Sequence, residues 1–315
     1  MAFSESEVIA ELASIFSSTD SRIRVGIGDD AAVVAPAVHD AVITTDMAIE
    51  NVHFKRSWSS AFEIGAKITA ANLADIYAMG ATPRHLVAAV SLTGNESMNW
   101  IRELAQGMKS EADKCAVSII GGDIVRGPFV SISMTAVGDV VHPILRSGAQ
   151  VGDAIYLSAL AGYSAAGLYL LGNALGKEIV VSALSQSAVA ERALAQFRAP
   201  DVDYQAGVAF SNAHSLCDVS DGLLTQGNQI ARASGVRLEF SSELISKAPG
   251  FQGLSDLADE VGAYIWDWIG CGGEDHVFLA TGVGLPGLEI GAVVEGSDCE
   301  ILGLSKNPEG FAHFN

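Results

Sequence analysis

The hydrophobic positions of the chain fall into short periodic blocks separated by glycine and acidic turns. Val8, Leu12 and Ile15, with Ile9 and Phe16, recur at helical spacing behind Ser4-x-x-Glu7, which reads as a capping box, so the first element is expected to be a helix. "AVITTD" (41–46) reads as a short strand that stops at an acid, and "AFEIGAKITAANLADIYAMGATP" (61–83) as an alanine-rich helix stopped by Gly80 and Pro83. "AVSIIGGD" (116–123) repeats the order of strand, glycine pair and acid. In "VSISMTAVGDV" (130–140), Val130, Ile132, Met134 and Ala136 alternate with Ser131, Ser133 and Thr135, a strand with one polar face. Turn residues gather in "RSGAQVGD" (146–153), where a domain boundary is expected, separating 1–146 from 147–315. Beyond it the pattern predicts a strand over 154–160, helices near 164–175 and 186–198, and a last helix over 255–269 leading into "CGGEDHVFLAT". Strands and helices mix in both parts, so the fold class is α/β (α+β) with two domains.

Charge then narrows the partners. Acids outnumber bases 37 to 18 over 315 residues, a net charge of -19. Nucleic acid and anionic membranes both require clustered Lys and Arg, so neither is expected as a partner. No charged residue occurs from Ala154 to Gly176, long enough to span a bilayer, but the stretch is interrupted by Gly162, Gly167 and Gly172 and is rich in Ala and Ser. It reads as a buried strand, a glycine loop and a small-residue helix. The cysteines, Cys115, Cys217, Cys271 and Cys299, form no C-x-x-C pair, and no signal-like segment opens the chain; reduced thiols in a cytoplasmic protein are expected.

Acids in unusual places carry the chemistry. "GIGDDAAVV" sets Asp29 and Asp30 side by side in an apolar stretch whose nearest bases are Arg22 and Arg24. Asp46, Asp123, Asp218, Asp221, Glu274 and Asp275 likewise border apolar segments at turns. Each alone reads as a turn former or helix cap. Asp75 differs: it shares a helical stripe with Ile64, Ile68, Asn72 and Met79, where a carboxylate either pairs with a distant Arg or meets a metal ion. Several carboxylates without matching bases describe a hard-cation site, and magnesium bridges such groups to substrate phosphates. "DVSDGLLTQGNQ" lacks the ligand pattern of a calcium loop, and the seven histidines show no zinc spacing.

Two phosphate motifs fail on inspection. "GIGDDA" has the loose dinucleotide-binding spacing, but the β-branched "AVVAP" after it does not continue as a helix, and two aspartates would face the pyrophosphate. "GNALGKE" (172–178) is one residue short of a P-loop and has Glu178 in place of Ser or Thr. Gly121-Gly122-Asp123 with Arg126, and Arg146 before Ser147-Gly148, suit phosphate better: glycines let backbone N–H groups approach, and arginine supplies a fork.

Taken in order, "GIGDDAAVV", "VITTDMAIENVHF", "NLADIYAMGATP", "IIGGDIVRGP", "LRSGAQVGDAIYLS", "DVSDGL" and "GGEDHVF" resemble the thiamine-monophosphate kinase family over almost the whole chain. The resemblance implies magnesium- and ATP-dependent phosphorylation of thiamine monophosphate to thiamine diphosphate. It implies the aminoimidazole-ribonucleotide synthetase-like fold, with N-terminal domains paired into a barrel in a homodimer. It further implies several magnesium ions held by Asp30, Thr44, Thr45, Asp46, Asp75, Asp123, Asp218 and Asp221, with Asp46, Asp123, Asp218 and Asp221 the catalytic acids. ATP contacts would be Gly122, Asp123, Arg146 and Ser220, and substrate contacts His53, Glu274 and Phe311. The chain departs from the usual pattern at Asn51, where glycine is common, at Ile124, where Thr is, and at His276-Val277. Selenophosphate synthetases of the same superfamily use a reactive cysteine near the N-terminus, and here none precedes Cys115.

Overall fold

A computed structural model of the chain describes residues 4–27, 31–173 and 187–309. They form two compact units, one built on the residues up to Tyr77 plus Ala81–His142, the other on Ala78–Gly80 plus Pro143 onward. The first unit contains α1 (Glu5–Ile15), a β1–β2 hairpin (Ile23–Val25, Val33–Val34), β3 (Asp40–Ile49), α2 (Ala61–Ala78), β4 (Thr82–Leu92), α3 (Met98–Lys114), β5 (Ser118–Arg126) and β6 (Ser131–Val140). The capping box forms as expected: Ser4 Oγ accepts from Glu7 N–H, and the Glu7 carboxylate accepts the Ser4 N–H at 2.6 Å. Val33–Val34, which follow the Gly-Asp-Asp segment in the sequence, form β2 and not the helix a dinucleotide fingerprint requires.

The main sheet of this unit runs β3-β6-β4-β5, with only the β4–β5 pair parallel. β6 alternates as predicted, Ile132, Met134 and Ala136 being fully buried. Three element boundaries differ from expectation, and tertiary pairing explains each. β3 does not stop at Asp46 but pairs with β6 through to Ile49. β5 continues through Gly121-Gly122-Asp123 to Arg126 because β4 supplies partners on its flank. A Cβ at Gly122 would sit inside the van der Waals shell of the Ala88 carbonyl oxygen, so glycine there permits strand contact. α2 ends at Ala78, ahead of Gly80 at φ +67°, and Pro83 lies in the following strand.

α2 crosses α3 through two glycines: a Cβ on Gly65 would meet the Leu104 carbonyl, and one on Gly107 the Phe62 carbonyl. α2 also presses Ile76 onto Gly138 of β6, which fixes its height above β3 and β6. The opposite face of this sheet exposes Ile43 (67%) and Met47 (54%).

The second unit holds β7 (Ala154–Leu157), α4 (Tyr163–Asn173), α5 (Ala188–Arg198), α6 (Tyr204–Ala209), β8 (Ser215–Asp218), α7 (Leu223–Ser234), β9 (Arg237–Ser241), α8 (Ser242–Ile245), α9 (Phe251–Val261), α10 (Ile265–Cys271), β10 (Phe278–Gly282), β11 (Leu288–Val294) and β12 (Cys299–Leu302). Its sheet runs β12-β9-β11-β7-β10-β8, antiparallel except β12 on β9. The uncharged stretch from Ala154 is β7, a glycine loop and α4, as read; no helix among the described residues is long and apolar enough to cross a membrane. Gly167 lets α4 approach the Ala193 carbonyl of α5. The single helix expected over 255–269 is two, α9 and α10, because Gly262 turns left-handed at φ +70°. All four cysteines are free thiols.

The α2–α3 crossing generates a test. Gly107→Ala is expected to destabilise the protein by about 1–3 kcal/mol or more, because the methyl group meets backbone that cannot rotate away. Chemical denaturation should show the loss, and a wild-type midpoint would contradict the close crossing.

Candidate active site

The acids and hydroxyls singled out in the first unit are sorted by strand alternation. Thr44 and Asp46 lie on the face of β3 that α2 covers, in register with buried Ala136 and Met134. There Thr44 Oγ1 donates to Asp75 Oδ2 at 2.5 Å. Asn72, one helical turn before Asp75, is fully buried; its Nδ2 donates to the Ile68 carbonyl at 2.8 Å, while Oδ1 has no hydrogen-bond partner among the described residues. The stripe seen in the sequence thus brings Thr44, Asp46 and Asp75 to one helix-covered face.

Two expected ligands stand apart from that group. Thr45 alternates to the opposite face, where its hydroxyl donates to the Met134 carbonyl at 3.0 Å and accepts from Thr135 at 3.1 Å. The register runs Asp46–Met134–Ala88–Gly122 across the sheet. Asp123, exposed, falls in the next row with Ala89 and Ser133, so alternation turns it to the other face from Asp46. Asp29, Asp30 and Phe311 lie outside the described residues. Beyond β3, Asn51 has φ +67°, which explains how asparagine replaces glycine, since its short polar side chain tolerates this region. His53 accepts the Ile49 N–H at Nδ1 (3.1 Å), which assigns the proton of the ring to Nε2.

A cavity of about 660 Å³ opens in the same unit between α1, α3, β4 and β5. Phe16, Val90, Leu104, Met108 and Ile120 give it apolar walls, and Gly121, Gly122 and Asp123 border it. A mostly apolar cavity with a few polar groups at its edge suits a flat heteroaromatic ring.

In the second unit the site is two loops locked together. Residues 219–222 follow β8, and 272–277 lead into β10. Glu274 N–H donates to the Ser220 carbonyl (2.7 Å), His276 N–H to the Val219 carbonyl (3.1 Å), and Val219 N–H to the Val277 carbonyl (2.8 Å). Gly273 and Gly222 are needed for this approach: Cβ atoms there would meet the Ser220 carbonyl and the Cys271 backbone. Glu274 and His276 take φ +63° and +52°, a conformation non-glycine residues rarely hold. Asp218, at the end of β8, is 1% exposed and sits 2.8 Å from His276 Nδ1. Ser220 Oγ accepts from buried Gln226 Nε2 at 3.1 Å, which leaves the hydroxyl proton for another acceptor. Asp221 is exposed. Arg146 is exposed too; it reaches the buried Cys217 thiol next to Asp218, and its carbonyl is held by Ser234 Oγ at 2.8 Å.

Sequence reasoning missed Gln226 and the role of Asp275. Buried Asp275 accepts from Gly162 N–H (2.6 Å) and Ser164 N–H (2.9 Å), capping α4 from a distant loop. Its signal was the Gly-Gly-Glu-Asp turn, but no spacing links it to Gly162. Burial pushes its carboxyl up to about 6, against the pull of the two backbone donors.

The donor set fits magnesium. The oxygens of Thr44, Asp46 and Asp75 and the unpaired Asn72 Oδ1 are hard, and magnesium needs only one or two carboxylates besides water and phosphate. Among the described residues no three His, Cys, Asp or Glu side chains are grouped so as to hold a metal ion by themselves.

Comparisons with known proteins show the family. Residues 28–140 match the family described as AIR synthase related protein, N-terminal domain. The thiamine-monophosphate kinase of Mycobacterium tuberculosis is 35% identical over 264 residues, covering 83% of this chain and 76% of that protein. The solved thiamine-monophosphate kinase of Stenotrophomonas maltophilia has a TM-score of 0.78 at 30% identity, covering 96% of each chain. A structure described as AaThiL complexed with AMPPCP and TMP has a TM-score of 0.77 at 27% identity, over 98% of this chain and 97% of that one.

Asp275 provides a pH test. An unfolded Asp titrates near ~3.9, so between that pH and about 6 the native state holds a proton the unfolded chain has released. Its contribution is full below ~3.9 and is lost as pH rises through about 6. Measured by denaturation from pH 4 to 7, wild type should lose stability relative to Asp275→Asn, on the order of 3 kcal/mol. A difference that does not change with pH would contradict the raised carboxyl.

Proposed function

The chain belongs to the thiamine-monophosphate kinase family and is a kinase, and from that premise we propose that it transfers the γ-phosphoryl group of ATP to thiamine monophosphate, giving thiamine diphosphate and ADP. The observation that carries the reading is the gathering of the hard oxygens of Thr44, Asp46 and Asp75 on one covered face of the sheet, where the Thr44 hydroxyl donates to Asp75.

Magnesium, when bound, supplies the charge neutralisation that lets two sets of phosphate oxygens approach. Asp30, Thr44, Asp46 and Asp75 hold ions from the first unit. Thr45 contributes only through its backbone, since its hydroxyl is engaged on the other face. Asp123 serves an ion near the cavity edge, and Asp218 and Asp221 are the ligands of the second unit. The adenine ring enters the 660 Å³ cavity, the Gly122 backbone faces phosphate, and Arg146 and Ser220 donate to phosphate oxygens.

The acceptor needs no general base, because a phosphomonoester has lost its second proton at neutral pH (pKa ~6). One acceptor oxygen forms the new bond to the γ-phosphorus as the bond to the β,γ-bridging oxygen breaks, and ADP carries away that electron pair. The protein's part is alignment and electrostatics. His53 donates from Nε2 to thiamine monophosphate, Glu274 faces its cationic ring, and Phe311 stacks on it. The four free thiols suit a cytoplasmic setting.

We further infer a homodimer that covers the open face of the β3-β6-β4-β5 sheet, where Ile43 and Met47 stand exposed beside the Thr45–Ser133–Thr135 hydroxyls. A sheet face with exposed Ile43 and Met47 is stabilised by a second layer, and an identical face from a second copy, closing into a barrel, supplies it.

Incubation with ATP, magnesium and thiamine monophosphate should yield thiamine diphosphate. Asp46→Asn should keep the melting temperature within a few degrees and lower kcat by roughly two orders of magnitude or more. Near-normal turnover in the folded variant would remove Asp46 from the reaction.

For the dimer, Met47→Asp places a charge in the covered face. Sedimentation velocity should shift the protein from dimer to monomer, and an unaltered dimer would relocate the interface.

A further inference from the structure

We propose that His276 is a positioning residue for Asp218: its imidazole, set in place by a left-handed backbone turn, donates Nδ1–H to one carboxylate oxygen and leaves the other oxygen for the cation. The proposal rests on the kinase reading, in which Asp218 is a magnesium ligand. Asp218 and His276 are 1% and 6% exposed and 2.8 Å apart. A carboxylate so far from water requires a hydrogen-bond donor. An ionised carboxylate can only accept, so the bond assigns the ring proton to Nδ1.

The backbone is arranged around this contact. A non-glycine residue at φ +52° is strained and persists only where the surroundings over-determine it. They do so on both sides of His276. Its own N–H is bonded to Val219, Asp275 before it is fixed by the N–H groups of Gly162 and Ser164, and Phe278 after it pairs in register with Asp218 itself. The ring therefore has one place to be, and the Asp218 carboxylate is oriented by it.

The chemistry of the donor matters as much as its position. Arg or Lys at this site would cancel the charge of Asp218 and compete with a cation. An imidazole N–H orients the carboxylate through one oxygen and leaves the second oxygen open to the cation. Ligating carboxylates are commonly held by such outer partners, whose loss costs about ten- to hundredfold in metal affinity.

The test uses Mn²⁺ as a paramagnetic stand-in for magnesium. Free Mn²⁺ is titrated by electron paramagnetic resonance against the full-length wild type, His276→Phe and His276→Asn. The Asn amide nitrogen falls close to the imidazole Nδ1 position, and Asn tolerates the left-handed region. We expect His276→Phe to weaken Mn²⁺ binding about ten- to hundredfold and to raise the magnesium concentration needed for turnover, with the KM for thiamine monophosphate little changed. His276→Asn should restore Mn²⁺ affinity to within a few-fold of wild type. Wild-type Mn²⁺ affinity in the Phe variant overturns the proposal, as does a wild type that binds no Mn²⁺. Should the Phe variant not fold, the Asn variant decides: wild-type affinity supports the role, and weakened affinity at an unchanged melting temperature overturns it. Failure of the wild type to make thiamine diphosphate would refute the kinase reading, while the Mn²⁺ titrations still judge His276.

Discussion

A carboxylate removed from water must be met by donors or by a cation, and each unit of this protein is organised around that requirement. In the first unit Asp75, half-buried on an apolar helix stripe, is met by the Thr44 hydroxyl. In the second, Asp275 is met by two backbone N–H groups at the start of a helix, and Asp218 by an imidazole. None of these hydrogen bonds comes from Arg or Lys. A hydroxyl, two backbone N–H groups and an imidazole thus set the direction of these three carboxylates.

The backbone devices serve the same end. Gly65 and Gly107 bring α2 and α3 into contact, and Gly138 admits Ile76, so α2 settles at the height where Asp75 reaches β3. In the second unit Gly222 and Gly273 let two loops share backbone hydrogen bonds, and the left-handed turns at Glu274 and His276 aim their side chains. Backbone close approach and left-handed turns thus fix where these side chains sit. Neutral donors with fixed geometry carry little reorganisation cost when the substrates bind.

Much of the local structure was legible before any coordinates. The helix behind Ser4-x-x-Glu7, the polar and apolar faces of 130–140, and the Asn72–Asp75 stripe follow from side-chain period alone. The placement of Asp218 at the end of its strand and of Asp221 and Glu274 in the loops beside it was also readable, because the sequence sets them against apolar blocks and glycines. Less legible were the ends of strands: β3 and β5 run past their acids since pairing with β6 and β4, separated from them by tens of residues, outweighs local turn preference. Gly262 broke one expected helix into two for the corresponding reason, a backbone twist that periodicity does not encode.

The sequence by itself determined the element types, the mixture of strands and helices in both parts of the chain, and which acids and hydroxyls stand against apolar blocks. Tertiary structure alone decided which of them share a face. Thr44 and Thr45 are adjacent and chemically alike, yet alternation sends one hydroxyl to Asp75 and the other to the Met134 carbonyl. Asp218 and Asp275 are equally acidic in the sequence, yet one is held by His276 and the other caps α4 through Gly162 and Ser164, a contact across 113 and 111 residues. The physical reason is range: propensity and period act over a turn of helix or a pair of residues, whereas a buried carboxylate chooses its donor from whatever the packed backbone brings within 3 Å.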